Sequence, residues 1–466
     1  MSEQTAYVDE RIPVYPRSVK GKFRNIKTII LLLAYGVYFI LPWLPWTRDT
    51  GPSQTVLFDI VNRRFYIFDL VVYAQDIFWL AGFLIIGAFL LFFVTGILGR
   101  VFCGYFCFQT LWTDVFIFIE RLVQGERNAR IKLAKSGWNG RKLRLLAITW
   151  LLWLVVSFWT GLSFTLYWGE AEQLVMEFFT GQAPFPAYAT TLFLTITTVV
   201  MAGLAREQVC TYMCPYARFQ SAMFDKDTLL VAYDEKRGES NCGRCKPSKE
   251  NLSHDYREQQ GIGDCIDCGY CVQVCPVGID IRNGLQYQCI SCALCIDACD
   301  TMMDTINYPR GLIKYTSQNQ LENKKHRFFK FKTVGYALAL LIAITVLISA
   351  ILNRQDTELH VRQVRQPLYI TLSDGFIQNR YSIKVFNKQA QLQEYVLITS
   401  GIEHARIEVK PSSRFSVEGG NSLTLNARVS VDPQLIGDVQ EEFQFVLINR
   451  NSQEKIQVRA QIFLPN

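Results

Sequence analysis

Between Cys265 and Cys299 the chain places eight of its fourteen cysteines in 35 residues, in two copies of one pattern. The first copy is Cys265-Ile-Asp-Cys268-Gly-Tyr-Cys271-Val-Gln-Val-Cys275-Pro276, and the second is Cys289-Ile-Ser-Cys292-Ala-Leu-Cys295-Ile-Asp-Ala-Cys299. Each copy reads C-x-x-C-x-x-C-x-x-x-C, the ligand spacing of paired 4Fe-4S clusters. Three thiolates two residues apart fit a tight loop around one cube. The fourth sits too far along to close its own cube and reaches the other. Cys265, Cys268, Cys271 and Cys299 are therefore expected to hold one cluster, and Cys289, Cys292, Cys295 and Cys275 the second. A structural zinc site takes four ligands, commonly as two C-x-x-C pairs, and leaves half of these cysteines unexplained. A disulfide framework fits less well still, because this spacing crowds thiols on adjacent turns. Asp300 stands where the second run of such domains often carries proline, which changes no ligand.

The rest of the chain does not read as soluble. Half of its 466 residues are hydrophobic and 13% are aromatic, concentrated in long apolar runs. Five runs match the roughly 20 residues that cross a ~30 Å hydrocarbon core: about Thr28–Trp46, Ile77–Leu98, Leu143–Phe164, Ala187–Ala205 and Thr333–Leu352. The first has a long polar lead-in and no small-residue cleavage site after it, so a retained helix is expected over a signal peptide. Formal net charge is +7, with the basic residues beside the apolar runs, which points to membrane topology and away from nucleic acid. Loop 99–142 carries eight Lys and Arg, including Arg121, Arg130 and Lys142, whereas loop 165–186 carries none and has Glu170, Glu172 and Glu177. The positive-inside rule then puts the N-terminus, loop 99–142 and region 206–332 in the cytoplasm, and everything after 352 outside. Thiolate ligands need a reducing compartment, which agrees independently. Phe108–Val123, apolar but with Asp114, Glu120 and Arg121, is expected to be an amphipathic, half-inserted helix or ordinary packing under the bundle.

After the fifth span the texture changes to short alternating segments split by turn signals such as Ser373-Asp374-Gly375 and Gly419-Gly420-Asn421. About seven strands in 100 residues read as an immunoglobulin-like β-sandwich. It contains no cysteine and nothing catalytic, and partner docking is its expected role. The fold class is thus a multidomain membrane protein. A polar tail (1–27) precedes a four-helix transmembrane domain (28–205), then a cytoplasmic ferredoxin-type insertion (206–332, core 257–312), a fifth span (333–352) and an outer sandwich (353–466).

A second cysteine set lies at the cytoplasmic ends of the second and fourth spans: Cys103-Gly-Tyr105-Phe-Cys107 and Cys210-Thr-Tyr212-Met-Cys214-Pro215. Both read C-x-Y-x-C and both follow an arginine, Arg100 and Arg206, which suggests an internal duplication. On a helix, i and i+4 share a face with Cβ atoms about 5–6 Å apart. That is too wide for a disulfide, whose Cβ atoms are ~3.8 Å apart. If the pairs face each other, soft thiolates with Met213 nearby favour Cu(I), zinc or an iron–sulfur centre. The competing reading is that buried cysteine serves as a small hydrophobe. Cys242-Gly-Arg-Cys245 is either an auxiliary metal or redox pair or two solvent-exposed thiols. The four histidines are scattered and none is assigned as a ligand.

These features in this order resemble the FixG/RdxA/CcoG family, membrane accessory proteins for assembly of cbb-type cytochrome c oxidase. The matching parts are the two C-x-x-x-C pairs, the Tyr233-Asp234-Glu-Lys-Arg237-Gly238-Glu239 segment and the eight-cysteine core. Asn307-Tyr308-Pro309-Arg310-Gly311-Leu312-Ile313 and Asp374-Gly-Phe-Ile-Gln-Asn379-Arg-Tyr381 complete them. The resemblance implies an inner-membrane cupric reductase. Electrons would pass from a cytosolic donor through two 4Fe-4S clusters to copper held by Cys210 and Cys214, with Cys103 and Cys107 as helpers. It implies oxidase assembly factors, or a copper transporter or chaperone, as partners, with a homodimer left open. Two alternatives stand beside it: a quinol-linked electron-transfer subunit, and a non-enzymatic, redox-sensing assembly scaffold. Cys242 and Cys245 depart from the family pattern.

Overall fold

The computed structural model describes residues 14–48, 51–239, 243–246, 253–325, 327, 330–389, 391–402, 405–433 and 440–464. The five apolar runs form helices near their expected places: Lys22–Ile40, Ile77–Leu98, Gly140–Thr165, Phe185–Thr198 and Phe331–Leu352. At about 1.5 Å per residue, the 22-residue helices Ile77–Leu98 and Phe331–Leu352 reach about 33 Å, enough to cross a bilayer core. Both are apolar on every face and expose large side chains such as Leu84, Leu341 and Val346, as helices facing lipid do. Phe185–Thr198 continues into a wider, π-type turn, Val199–Ala205.

Among the described residues six stretches, not five, are long and apolar enough to cross a membrane. The additional one, Val101–Gln124, contains the helix Phe108–Gln124, which packs on Gly140–Thr165 with Phe116 stacked on Trp153 at 5.1 Å. Its charges had argued against a span. In the fold its two carboxylates are buried and paired, as charges in an apolar setting must be. Asp114 meets Arg24 at 2.9 Å and Lys27 at 3.6 Å, while Glu120 meets Arg130 at 3.0 Å and also pairs with Arg206. The segment after the first span was read only as an outer loop. It contains a three-stranded antiparallel meander of Val56–Asp59, Arg64–Ile67 and Leu70–Tyr73.

The eight-cysteine region is built on two short helices, Tyr270–Gln273 and Leu294–Thr305, one per cysteine run. A two-stranded antiparallel sheet covers them, with Leu230 opposite Thr316 and Tyr233 opposite Ile313. This assembly is fastened to the first membrane helix. The Asp297 carboxylate accepts the Phe23 and Arg24 backbone N–H groups at 3.2 and 2.7 Å, occupying orphan donors of the helix's first turn. Nearby, the Arg17 N–H donates to the Gln273 carbonyl at 2.8 Å, and the Tyr270 hydroxyl donates to the Ser18 carbonyl at 3.0 Å.

The chain from Ile348 onward is a separate compact unit. Its strands form two antiparallel sheets. One runs Arg406–Lys410, Ser422–Val431, Ile377–Asn387, Thr357–Gln363, with Ile370–Thr371 also on Ile377–Asn387; the other runs Arg414–Val417, Gln393–Ser400, Gln440–Asn449, Lys455–Phe463. Alternate residues from both, among them Tyr381, Ile383, Val385, Leu425, Phe443 and Phe445, fill one core. The expected sandwich is present with nine strands where about seven were read. Thr357–Gln363 is too polar and Arg414–Val417 too short to stand out in sequence.

Candidate functional site

Each cysteine run turns back on itself through residues in the left-handed region. Asp267 (φ 51°) and Gly269 (φ 65°) flank Cys268, and Ser291 (φ 53°) and Ala293 (φ 60°) flank Cys292 at the equivalent positions. Three of the four carry a side chain there, a conformation that persists only where its surroundings over-determine it. Successive turns of this kind point backbone N–H groups inward and make a concavity for an anionic group. Ser291 N–H lies 3.5 Å from Cys289 Sγ, and Val277 and Ile279 donate backbone N–H to Cys275.

The thiols then gather in two sets. Cys265, Cys268, Cys271 and Cys299 line one apolar cavity with Ile266, Leu312 and Ile313. Cys275, Cys289, Cys292 and Cys295 line another with Val231, Ile281 and Ile290. Cys271 lines this second cavity as well, and the other seven divide between the two as the spacing expects. Burial pushes the Cys271 and Cys275 thiols up to about 12 and Cys289 to about 11, with neighbouring thiols pushing the same way. Without a cation these sites hold neutral thiols; bound iron displaces their protons. Among the described residues no three His, Cys, Asp or Glu side chains converge on a single ion. The donor set, the apolar walls and the inward N–H groups therefore fit 4Fe-4S clusters, which supply one-electron carriers when bound.

The second cysteine set lies beside the second cavity. Cys103 belongs to the short helix Val101–Tyr105, and Cys210 to the π-type turn Val209–Met213. Cys107 and Cys214 are not on those helices, as an i, i+4 face requires. Each is an extended residue that opens the next helix, Phe108–Gln124 or Pro215–Met223. Pro215 explains the break in the second pair, since the residue before proline is pushed out of helical geometry. The two halves share this helix–cap–helix layout. Cys210 has Cys107, Cys103 and Cys214 within electrostatic reach. Burial, followed by those thiols, raises the Cys210 thiol to about 12.

Several residues that the spacing did not single out bind this set to the second cluster cavity. Gly104 packs so closely that a Cβ there would lie 2.7 Å from the Ile290 carbonyl and 2.9 Å from Cys292 Cα. The Tyr105 hydroxyl donates to the Cys292 carbonyl at 3.1 Å. Arg100 donates to the Cys289 carbonyl at 3.2 Å and to that of Tyr287. Cys103 Sγ donates to Gln220 Oε1 at 3.2 Å, and fully buried Gln220 donates in turn to Thr95 at 3.1 Å. The repeated C-x-Y-x-C was a signal for Tyr105. It gave no warning that Tyr212, its counterpart, is exposed. Cys103 and Cys292 share one packed cluster. The cavity of Cys275, Cys289, Cys292 and Cys295 is thus the one nearer the membrane thiols. In the other, Cys268 is exposed. Cys245 is disulfide-bonded, which is against the solvent-exposed free thiol among the readings offered for it; Cys242 lies outside the described residues.

Comparison with known proteins agrees with this layout. A family described as a 4Fe-4S dicluster domain matches residues 205–318, and one described as a 4Fe-4S binding domain matches 80–124. Residues 347–465 match an IG-like fold at the C-terminus of FixG. The chain is 42% identical over 427 residues to the protein RdxB of Cereibacter sphaeroides, covering 89% of this chain and 88% of that one. To the nitrogen fixation protein FixG of Rhizobium meliloti it is 33% identical over 497 residues, covering 98% and 94%. It is 25% identical to the ferredoxin-type protein NapH of Escherichia coli over 55% of this chain and 89% of that one. A solved FixG-related protein from Vibrio parahaemolyticus aligns with 24% of this chain and all of its own, at 25% identity and a TM-score of 0.23. With apolar helices, two sets of cluster thiols and these relatives along nearly its whole length, the chain belongs to the FixG/Rdx family of membrane-associated iron–sulfur electron-transfer proteins.

Proposed function

We propose that this protein reduces Cu(II) to Cu(I) at Cys210 and Cys214, with Cys103 and Cys107 assisting, for the copper centre of a cbb-type cytochrome c oxidase. The supporting observation is that Cys103, Cys107 and Cys214 lie within electrostatic reach of Cys210, while Gly104 between the first pair packs on the Ile290–Cys292 backbone. One electron arriving along that contact converts one Cu(II) to Cu(I). Soft thiolates hold the reduced ion better, so the ligands favour the product. Arg100 and Tyr105 hold the cluster loop against Cys103, and Gln220 fixes the Cys103 thiol. In this reading the protein lies in the bacterial inner membrane, with the cluster domain in the cytoplasm and the sandwich in the periplasm. A soluble donor supplies electrons, and oxidase assembly factors or a copper carrier take the product.

The test uses protein purified anaerobically, reduced and freed of excess reductant. Cu(II) is added and Cu(I) followed with a chelating dye. Wild type should give dye signal, and the Cys210→Ala/Cys214→Ala variant should not while keeping its clusters. Equal signal from both ends the copper assignment.

A quinol-linked reading has its own observation. A cavity of about 320 Å³ opens between the membrane helices, walled by Tyr38, Trp112 and Phe164 with Gln109 and Thr160 as polar groups. That is within the size range of small-molecule sites, roughly 300–1,000 Å³. Copper-free reoxidation by a quinone analogue, lost on Trp112→Ala, supports that reading.

A further inference from the structure

We propose that the cleft on the outer face of strand Leu230–Tyr233 binds a planar, anionic two-electron carrier, a reduced flavin nucleotide, which supplies the electrons. This inference rests on the cluster reading and is independent of copper.

The cleft has a volume of about 540 Å³, inside the range of roughly 300–1,000 Å³ typical of small-molecule sites. It belongs to neither thiol set. Its position carries the argument. Successive side chains of a strand point to opposite faces. Leu230 and Ala232 line the cleft, whereas Val231 lines the cavity of Cys275, Cys289, Cys292 and Cys295. Tyr233 lines both the cleft and the cavity of Cys265, Cys268, Cys271 and Cys299. A single strand therefore separates the cleft from both cluster cavities, a partition on the order of one ~10 Å layer. No other cavity described above adjoins both.

The lining selects the occupant. Phe224 offers aromatic surface and Leu230 and Ala232 an apolar floor, which suit the faces of a flat ring system. Three of the four acids that line it are engaged, Asp225 with Lys330 at 2.5 Å, Asp234 with Lys314 at 3.0 Å and Glu322 with Lys324 at 2.5 Å; the fourth is Glu235. Lys226 and Lys236 also line the cleft outside those pairs, two cations against the one carboxylate of Glu235, which leaves one positive charge for a phosphate. The redox arithmetic matches as well. A flavin hydroquinone gives up two electrons and two protons to become oxidised flavin. The electrons reduce two one-electron carriers by one each, and the protons leave to solvent.

The experiment uses the full chain in detergent, without copper, and flavin mononucleotide as the probe. Oxidised flavin should show saturable fluorescence quenching. Reduced flavin should reduce the clusters, followed by visible absorbance, at a rate that saturates with flavin concentration. Ala232→Phe fills the floor and Lys226→Glu reverses the charge; each should raise the half-saturating concentration roughly tenfold. Dithionite should still reduce the clusters fully in all three proteins, which separates a lost flavin site from a lost cluster. Quenching without saturation, or reduction rates linear in flavin and equal across the three proteins, overturns the proposal. So does free flavin proving inert while a small protein carrier reduces the clusters.

Discussion

At the scale of single residues, the thiols divide into roles by position in the fold. Cys299 and Cys275 are the fourth members of their cavities, each lent by the opposite run. Cys299→Ser should therefore cost the cluster farther from the membrane thiols, and Cys275→Ser the nearer one. Electron paramagnetic resonance of the reduced proteins should show one cluster left in each case. Loss of the same cluster in both variants contradicts the exchange of fourth ligands. The eight thiols and their grouping were legible because cluster spacing is a local code. Gln220, Arg100 and Gly104 were not, since their partners lie more than a hundred residues away and no spacing records that. Asp225 is a residue of the same hidden kind. Burial alone raises its pKa, but the hydrogen bond from Lys330 and the Asp227 N–H outweigh that and hold it below the usual carboxylate range. A lowered pKa contributes stability above the unfolded value, near 4, that is lost as pH falls through the folded one. The protection factors of amides 225–228 should thus fall below about pH 4 in the wild type. In Asp225→Asn they should already be low at neutral pH. Equal protection of the two at neutral pH removes the tether.

At the scale of elements, the apolar runs were readable because a membrane helix is defined by length and composition. The helix Phe108–Gln124 is the harder case: its carboxylates read as groups facing water and instead pair with basic residues elsewhere in the bundle. Glu120 alone serves both Arg130 and Arg206. Glu120→Gln leaves two buried guanidinium groups short of a counter-charge, a loss of about 3–5 kcal/mol when a buried pair is broken. The midpoint of thermal unfolding in detergent should fall accordingly, and Glu120→Asp should recover part of it. An unchanged midpoint shows that the pairs are hydrated. The cysteine pairs were misplaced on continuous helices for a related reason. Residue spacing cannot show that Cys107 and Cys214 start new helices, although Pro215 was a legible sign for one of them. The strands of the sandwich were found where alternation was strong, as in Tyr381–Phe386, and missed at Thr357–Gln363, where polar residues fill the outward positions.

At the scale of the molecule, the cluster domain is anchored to the first membrane helix through Asp297 and to the membrane thiols through Gly104, Tyr105 and Arg100. The unit from Ile348 onward has a hydrophobic core of its own. Ending the chain at Leu352, after the last membrane helix, should therefore leave iron content and the cluster spectrum unchanged, while abolishing any function that needs the sandwich as a docking surface. Loss of the clusters on truncation contradicts that independence. The central claim is that electrons leave the clusters through the thiols at Cys210 and Cys214. Its most direct test is anaerobic stopped-flow mixing of the reduced, reductant-free protein with Cu(II), recording cluster reoxidation and Cu(I) formation together. The two traces should share one rate constant in the wild type, with one Cu(I) formed per electron lost. In Cys210→Ala/Cys214→Ala, the clusters should stay reduced on that timescale. Reoxidation at the wild-type rate in that variant contradicts the account.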